Sequence, residues 1–125
     1  MARILVADDD PLMRDMVGIT LNRAGHAVEV VSTGQQALDH LDESDFDLVV
    51  ADIFMPGGTG IELLISMRAK RIEMPFICIS GGDGDLFRPY ATTMVSLGAY
   101  KVLRKPFTPD QLVDAVRGCG IGGEA

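Results

Sequence analysis

The sequence predicts an α/β fold, a parallel sheet with helices packed on both faces. Five apolar, β-branched runs alternate strictly with five amphipathic stretches, and βα alternation of this kind produces a parallel sheet. The runs Leu48–Ala51 and Phe76–Ile79 are apolar without interruption, as central strands covered on both sides are. A length of 125 residues with 47% apolar content fits one packed domain that buries roughly two-thirds of its unfolded surface. The expectation is therefore a single domain over residues 1–125, ordered from about 3 to 118.

The elements follow in order. Ile4–Ala7 is the first strand. Leu12–Ala24 has Leu12, Met16, Ile19, Thr20 and Arg23 at helical spacing, with Met13, Val17, Leu21 and Ala24 widening the apolar face, and Gly25 stops the helix. Ala27–Val31 is the second strand. Thr33 and Gln36 fit the capping box T-x-x-Q, which starts a helix running to about Leu41. Leu48–Ala51 runs into Asp52. A turn at Pro56, Gly57 and Gly58 leads to a helix from about Gly60 to Arg71 carrying Ile61, Leu64, Ile65 and Arg68. Phe76–Ser80 is the fourth strand; Gly81, Gly82 and Gly84 follow, then a helix over Phe87–Leu97 ended by Gly98. Tyr100–Leu103 is the last strand. Thr108 and Gln111 form a second capping box with Pro109 at the first helical position, and the last helix runs to about Gly118 before Ile121–Ala125 frays.

Four polar pieces each stand just after a strand: Asp8, Asp9 and Asp10; Asp52 in D-I-F-M-P-G-G-T-G; Ser80; and Lys105 in K-P-F. In an open parallel sheet, ligands gather outside the carboxyl ends of the strands, so these pieces meet at one edge. Two carboxylates about 4 Å apart repel by roughly 4 kcal/mol at an effective dielectric near 20. Adding Asp52 worsens this and a divalent cation relieves it; magnesium, which takes carboxylates, waters and phosphate oxygens, suits the case. Asp10 before Pro11 reads as a helix cap. Asp52 is open to two roles, phosphoryl acceptor or metal ligand. Ser80 and the amides after it can donate to phosphoryl oxygens, and the Lys105 ammonium can neutralise charge there.

Other chemistries fit poorly. A net charge of −7 argues against nucleic acid as a direct partner. G-G-T-G and G-G-D-G lack the P-loop pattern. Cys78 lies in an apolar run and reads as core, Cys119 reads as exposed, and neither has zinc spacing. His26 and His40 lie away from the acidic pieces and read as surface residues. No signal-peptide pattern and no membrane-length apolar stretch is present, so a cytoplasmic protein is expected.

In this order and at these strand ends, L-V-A-D-D, D-x-x-M-P-x-x-x-G from Asp52 to Gly60, I-S-G at Ile79–Gly81, G-A at Gly98–Ala99 and K-P-F at Lys105–Phe107 resemble the receiver domain of two-component response regulators. The resemblance covers Ile4 to about Gly118. It implies a flavodoxin-like, CheY-like doubly wound sheet of five parallel strands in the order 2-1-3-4-5. It further implies that Asp52 is the phosphoacceptor, that Asp9 binds Mg2+ directly with Asp8 acting largely through metal-bound water, and that the Phe54 backbone carbonyl is another ligand. Ser80 matches the switch hydroxyl and Lys105 the phosphoryl-pairing lysine, joined to Pro106 by a cis bond.

The implied donor is the phosphohistidine of a sensor histidine kinase or a histidine phosphotransfer protein. The outcome is altered binding of a downstream protein by a monomer or weak phosphorylation-dependent dimer, with no nucleic acid or membrane contact. Such a domain is not an enzyme in the usual sense. Three positions depart from the family. Val102 stands where an aromatic residue is usual, with Tyr100 the nearest aromatic; the Ser80–Lys105 connection is long and glycine-rich; and Phe54 is bulky at the site mouth. The alternatives are an aspartate-nucleophile phosphatase of haloacid dehalogenase type, with Asp8-x-Asp10 as its motif, and a receiver that only binds partners. The short chain without a cap segment disfavours the first, and the complete set Asp8, Asp9, Asp52, Ser80 and Lys105 disfavours the second.

Overall fold

The computed structural model describes residues 2–55, 59–81 and 84–120, and of residues 84–88 the backbone only. The expected turn at Pro56–Gly58, Gly82 and the expected fraying at Ile121–Ala125 lie outside the described residues. Strands β1 (Arg3–Ala7), β2 (Ala27–Val31), β3 (Leu48–Asp52), β4 (Phe76–Ser80) and β5 (Lys101–Arg104) alternate with helices α1 (Pro11–Arg23), α2 (Gly34–Glu43), α3 (Gly60–Ala69), α4 (Gly84–Ser96) and α5 (Pro109–Gly118). All four strand pairings are parallel, in the order β2-β1-β3-β4-β5.

Alternation along the strands divides the core in two. Leu5, Ala7, Val49, Ala51, Phe76 and Cys78 face the layer formed by α2, α3 and α4. Ile4, Val6, Leu48, Val50, Ile77 and Ile79 face α1 and α5. β3 and β4 are buried at every residue, so their positions are fixed from both sides. The register then sets the levels at the carboxyl edge. Ala7 pairs with Ala51, and Asp52 pairs with Ile79, which pairs with Leu103. Asp8 and Asp52 therefore leave the sheet at one level. Ser80 stands one step higher, paired with Arg104, and Lys105 one step beyond that.

Several expectations need correction. The buried face of α1 is Val17, Gly18 and Leu21, while Leu12 is 81% exposed and Ile19 is exposed. Gly18 faces β2, where a Cβ would sit in ordinary contact, 3.6 Å from Val30 Cγ1. α3 ends at Ala69, and Arg71 takes a left-handed φ of 59°. Its buried row is Leu63, Leu64 and Met67, with Ile65 exposed, and Arg68 donates to the Leu97 and Gly98 carbonyls. A T-x-x-E capping box at Thr59 and Glu62 starts α3, a signal present in the sequence but not read from it.

At α2 the Thr33 hydroxyl caps the Gln36 amide, but the Gln36 side chain accepts from the Ser32 amide rather than closing the box on Thr33. α4 begins at Gly84, three residues before the expected Phe87, and so carries Pro89 inside the helix rather than in its first turn. β5 is shifted by one residue, with Tyr100 just before it. The capping box of α5 at Thr108 and Gln111 is as expected.

Candidate functional site

The three consecutive aspartates after β1 do three different things. Asp8 turns inward and is 1% exposed; its Oδ1 accepts from the Asp10 amide at 2.9 Å, and its backbone carbonyl accepts from Arg14 Nη1 at 3.1 Å. Asp9 is exposed at the mouth of the site. Asp10 caps α1, its Oδ1 accepting from the Leu12 amide at 3.0 Å, as its place before Pro11 predicts.

Asp52, the last residue of β3, is buried. Its Oδ2 accepts from Lys105 Nζ at 3.1 Å, and among the described residues its Oδ1 takes only a 3.4 Å contact from the Phe54 amide. The backbone beyond it is pinned by Ile53 N donating to the Ile79 carbonyl at 3.0 Å and Gly60 N donating to the Ile53 carbonyl at 2.7 Å. A Cβ at Gly60 would stand 2.5 Å from the Asp52 carbonyl oxygen, so only glycine lets the start of α3 close on the end of β3.

Ser80 is fully buried at the end of β4, and its carbonyl accepts from the Lys105 amide at 2.7 Å. The stem of Lys105 runs past Gly81, where a Cβ would lie 3.1 Å from its Cδ. The Lys105–Pro106 peptide bond is cis, as expected. Phe54 is 43% exposed beside a cleft of about 290 Å3 that it lines with Asp9, Met55 and Thr59. Its ring meets Tyr90 of α4 edge-on, with centroids 5.0 Å apart and planes at 86°. Sequence reasoning gave Tyr90 no role, because no local pattern ties a helix residue to a loop residue so far away in the chain.

Electrostatics make this edge a cation site. Carboxylate oxygens of Asp8, Asp9 and Asp52 lie within 4.8 Å of one another. Burial pushes the Asp8 carboxyl up to about 6; the Asp52 and Asp9 charges add to this, against the Asp10 amide and Lys105. Asp8 Oδ2 accepts no hydrogen bond among the described residues, with Lys105 Nζ 3.9 Å away. A buried, unsatisfied carboxylate oxygen facing two further carboxylates fits a hard divalent cation, and Asp8, Asp9 and Asp52 would hold it. Bound there, Mg2+ supplies neutralising charge and coordinates phosphoryl oxygens.

The remaining candidates lie elsewhere. Cys78 is a buried core residue whose thiol is pushed up by burial and by the Asp52 charge. Cys119 is partly buried against the α1/α5 core, its Sγ donating to the Val116 carbonyl at 3.0 Å, which corrects the exposed reading. His26 accepts from the Ala2 amide at the opposite edge of the sheet, and the His40 ring meets the Gln36 carbonyl on α2. Tyr100, the rival aromatic, packs its hydroxyl near Gly118 of α5. No helix among the described residues is long and apolar enough to cross a membrane.

Comparison with known proteins agrees with this geometry. The family model described as "Response regulator receiver domain" matches residues 4–117. The chain is 43% identical over 109 residues to the transcriptional regulatory protein FixJ of Bradyrhizobium diazoefficiens, covering 87% of this chain and 52% of that protein. It is 40% identical to the C4-dicarboxylate transport transcriptional regulatory protein DctD of Pseudomonas aeruginosa, covering 92% of this chain and 24% of that protein. The chain thus spans about half or less of the length of these relatives. Among solved structures it is similar to a Francisella response regulator receiver domain, with a TM-score of 0.87, 28% identity and coverage of 95% and 96%. It is also similar to the response regulator TrrA of Thermotoga maritima in complex with Mg2+ and BeF, with a TM-score of 0.83, 29% identity and coverage of 95% and 99%. This likeness, with the 2-1-3-4-5 sheet, replaces the phosphatase alternative. The chain belongs to the response regulator receiver family, phosphoryl-accepting domains of two-component signalling rather than enzymes in the usual sense, and it carries at Asp8, Asp9 and Asp52 an acidic pocket suited to magnesium.

Proposed function

We propose that Asp52 is the residue that accepts the phosphoryl group, from the phosphohistidine of a sensor kinase or a histidine phosphotransfer protein. The observation that carries this is the asymmetry of its carboxylate. Among the described residues, Oδ2 is tied to Lys105 at 3.1 Å, while Oδ1 has only the 3.4 Å contact to Phe54 N, which leaves one oxygen able to attack phosphorus. In the transfer, the imidazole N–P bond breaks as the Asp52 O–P bond forms. Lys105 balances the charge that arrives at Asp52. Asp8, Asp9, Asp52 and the Phe54 carbonyl form the Mg2+ site, and the burial of Asp52 positions the nucleophile without any covalent chemistry elsewhere.

The Ser80 hydroxyl then turns toward the phosphoryl oxygens and the α4–β5–α5 surface shifts between two populations. That shift changes the binding of a downstream protein by a cytoplasmic receiver that spans 1–125 with an ordered core of about 3–118. It acts as a monomer or weak phosphorylation-dependent dimer, without itself contacting nucleic acid or membrane.

Mass spectrometry of the intact protein after incubation with a small phosphodonor and Mg2+ tests the assignment. One phosphoryl group is expected on the parent and none on Asp52→Asn, with the fold retained by circular dichroism. Full incorporation by Asp52→Asn would sink it.

A further inference from the structure

Asp52 is buried, and a cleft lined by Asp9, Phe54, Met55 and Thr59 opens to solvent; Asp9, whose carboxylate oxygen lies within 4.8 Å of that of Asp52, ties this cleft to the site. At about 290 Å3 it holds several waters, each taking roughly 30 Å3. Phe54 forms one wall. Its amide contacts Asp52 Oδ1 at 3.4 Å, so this residue stands directly against the phosphoryl position. The ring meets Tyr90 of α4 edge-on, with centroids 5.0 Å apart. Tyr90 is itself packed against the core on the α2–α3–α4 side of the sheet, and so offers an anchored partner to a residue that is 43% exposed even with this contact.

We infer that Tyr90 is a positioning residue for the lifetime of the phosphorylated state: it holds the Phe54 ring against the cleft through which water reaches the phosphoryl group on Asp52. This rests on the assignment of Asp52 above. In the reaction concerned, water attacks phosphorus and the bond between phosphorus and the Asp52 carboxylate oxygen breaks. The products are the Asp52 carboxylate, inorganic phosphate as its monohydrogen dianion, and a proton. Water supplies the only co-reactant. With Tyr90 in place the ring occupies one position beside the cleft; without it the ring samples others and water enters more often. An aromatic pair of this geometry restrains the ring by enough to change the hydrolysis rate roughly 2- to 10-fold.

The experiment loads the parent and variants with a small phosphodonor and Mg2+, removes the donor, and follows loss of the phosphorylated mass with time. Tyr90→Ala is expected to shorten the lifetime about 2- to 10-fold, and Tyr90→Phe, which keeps the ring edge, to restore it. Phe54→Ala is expected to shorten it as well, and Tyr90→Ala added to Phe54→Ala to change nothing further. Loss of core packing alone would lower the melting temperature without this dependence on Phe54. Should Tyr90→Ala not fold, Tyr90→Leu fills the space without an aromatic edge and takes its place.

A parent-like lifetime in Tyr90→Ala or Tyr90→Leu overturns the inference, as does an equal acceleration in the Phe54→Ala background. Those outcomes leave Asp52 as acceptor intact. Failure of the parent to take up phosphoryl, by contrast, removes the Asp52 assignment and this inference with it.

Discussion

Asp8 and Asp52 leave β1 and β3 at one level of the sheet, whereas Ser80 and Lys105 stand one and two steps higher on β4 and just beyond β5. The acidic side is built from short side chains on neighbouring central strands, both carboxylates buried. The basic side reaches back by one long side chain, still 21% exposed, whose ammonium meets Asp52 at 3.1 Å and Asp8 at 3.9 Å. Negative charge is thus fixed by the sheet, while its neutraliser sits on a flexible stem. This division separates two tasks. Under the proposed function, cation binding falls to groups that cannot move apart, and charge compensation during transfer to one that can follow the phosphoryl group.

Removing the ammonium gives the largest test of that division. Lys105→Ala is expected to slow phosphoryl uptake from a small donor by about 10²- to 10³-fold, the usual cost of losing one charge-stabilising donor. It also leaves two buried carboxylates without their cation, and the metal-free protein should lose roughly 1–3 kcal/mol at neutral pH. Magnesium binding should be as tight as in the parent or tighter, because a competing cation is gone. Stopped-flow uptake and a magnesium titration read the two halves separately. Slowed uptake accompanied by weakened metal binding would mean that the two sides act as one unit.

Asp8→Asn tests the acidic side. In chelator, the Asp8 carboxyl sits near pKa 6, above its ordinary 3.8, chiefly through burial. The folded state therefore binds a proton more readily than the unfolded one between these values. The stability this contributes is fully present below about pH 3.8 and is lost as pH rises through about 6. Relative to the parent, Asp8→Asn should gain on the order of 2–3 kcal/mol at pH 7 and little near pH 4. An asparagine keeps the oxygen that accepts from the Asp10 amide, so the β1 end stays in place. Saturating magnesium should favour the parent instead, since the metal rewards the ionised form. Denaturant melts at a series of pH values decide this; a stability difference that stays flat from pH 4 to 7 would contradict the burial argument.

The same contrast explains what was legible in the sequence. That Asp8, Asp9, Asp52, Ser80 and Lys105 meet at one sheet edge was legible because each follows an apolar run, and strand ends in a parallel sheet converge whatever the loops do. Strand assignments held to within a residue, because β3 and β4 are buried on both faces and leave little freedom of register. Helix faces were less legible. On α1 and α3 the apolar residues Leu12, Ile19 and Ile65 continue the helical spacing yet stay exposed, and a sequence that is apolar on more than one side does not say which side meets the sheet. α4 starts at Gly84, three residues before the expected Phe87, because a glycine that follows two others reads as loop yet here opens the helix. Tyr90 against Phe54, and Gly60 against the Asp52 carbonyl, are contacts made by tertiary packing alone.

Gly81 offers the finest probe, because it touches the basic side without carrying charge. A Cβ there would stand 3.1 Å from Lys105 Cδ and 3.8 Å from Nζ, close enough that the stem must shift by a few tenths of an ångström. The backbone at Gly81 is not among the left-handed positions, so alanine brings no backbone strain. Its smaller unfolded-state entropy, worth roughly 0.4–1 kcal/mol, offsets the push on the lysine. Stability should then change by less than about 0.5 kcal/mol. Phosphoryl uptake should fall by about two- to fivefold, since displacements of an ångström cost on the order of a hundredfold and this one is smaller. Magnesium binding, held by Asp8, Asp9 and Asp52, should not move. Parallel measurement of uptake and metal binding in Gly81→Ala separates the possibilities. A parent-like uptake rate would show that the stem yields freely and that the ammonium finds Asp52 from more than one path. A drop matching that of Lys105→Ala would show instead that the lysine has no slack, which would end the distinction between a fixed acidic side and a mobile basic one.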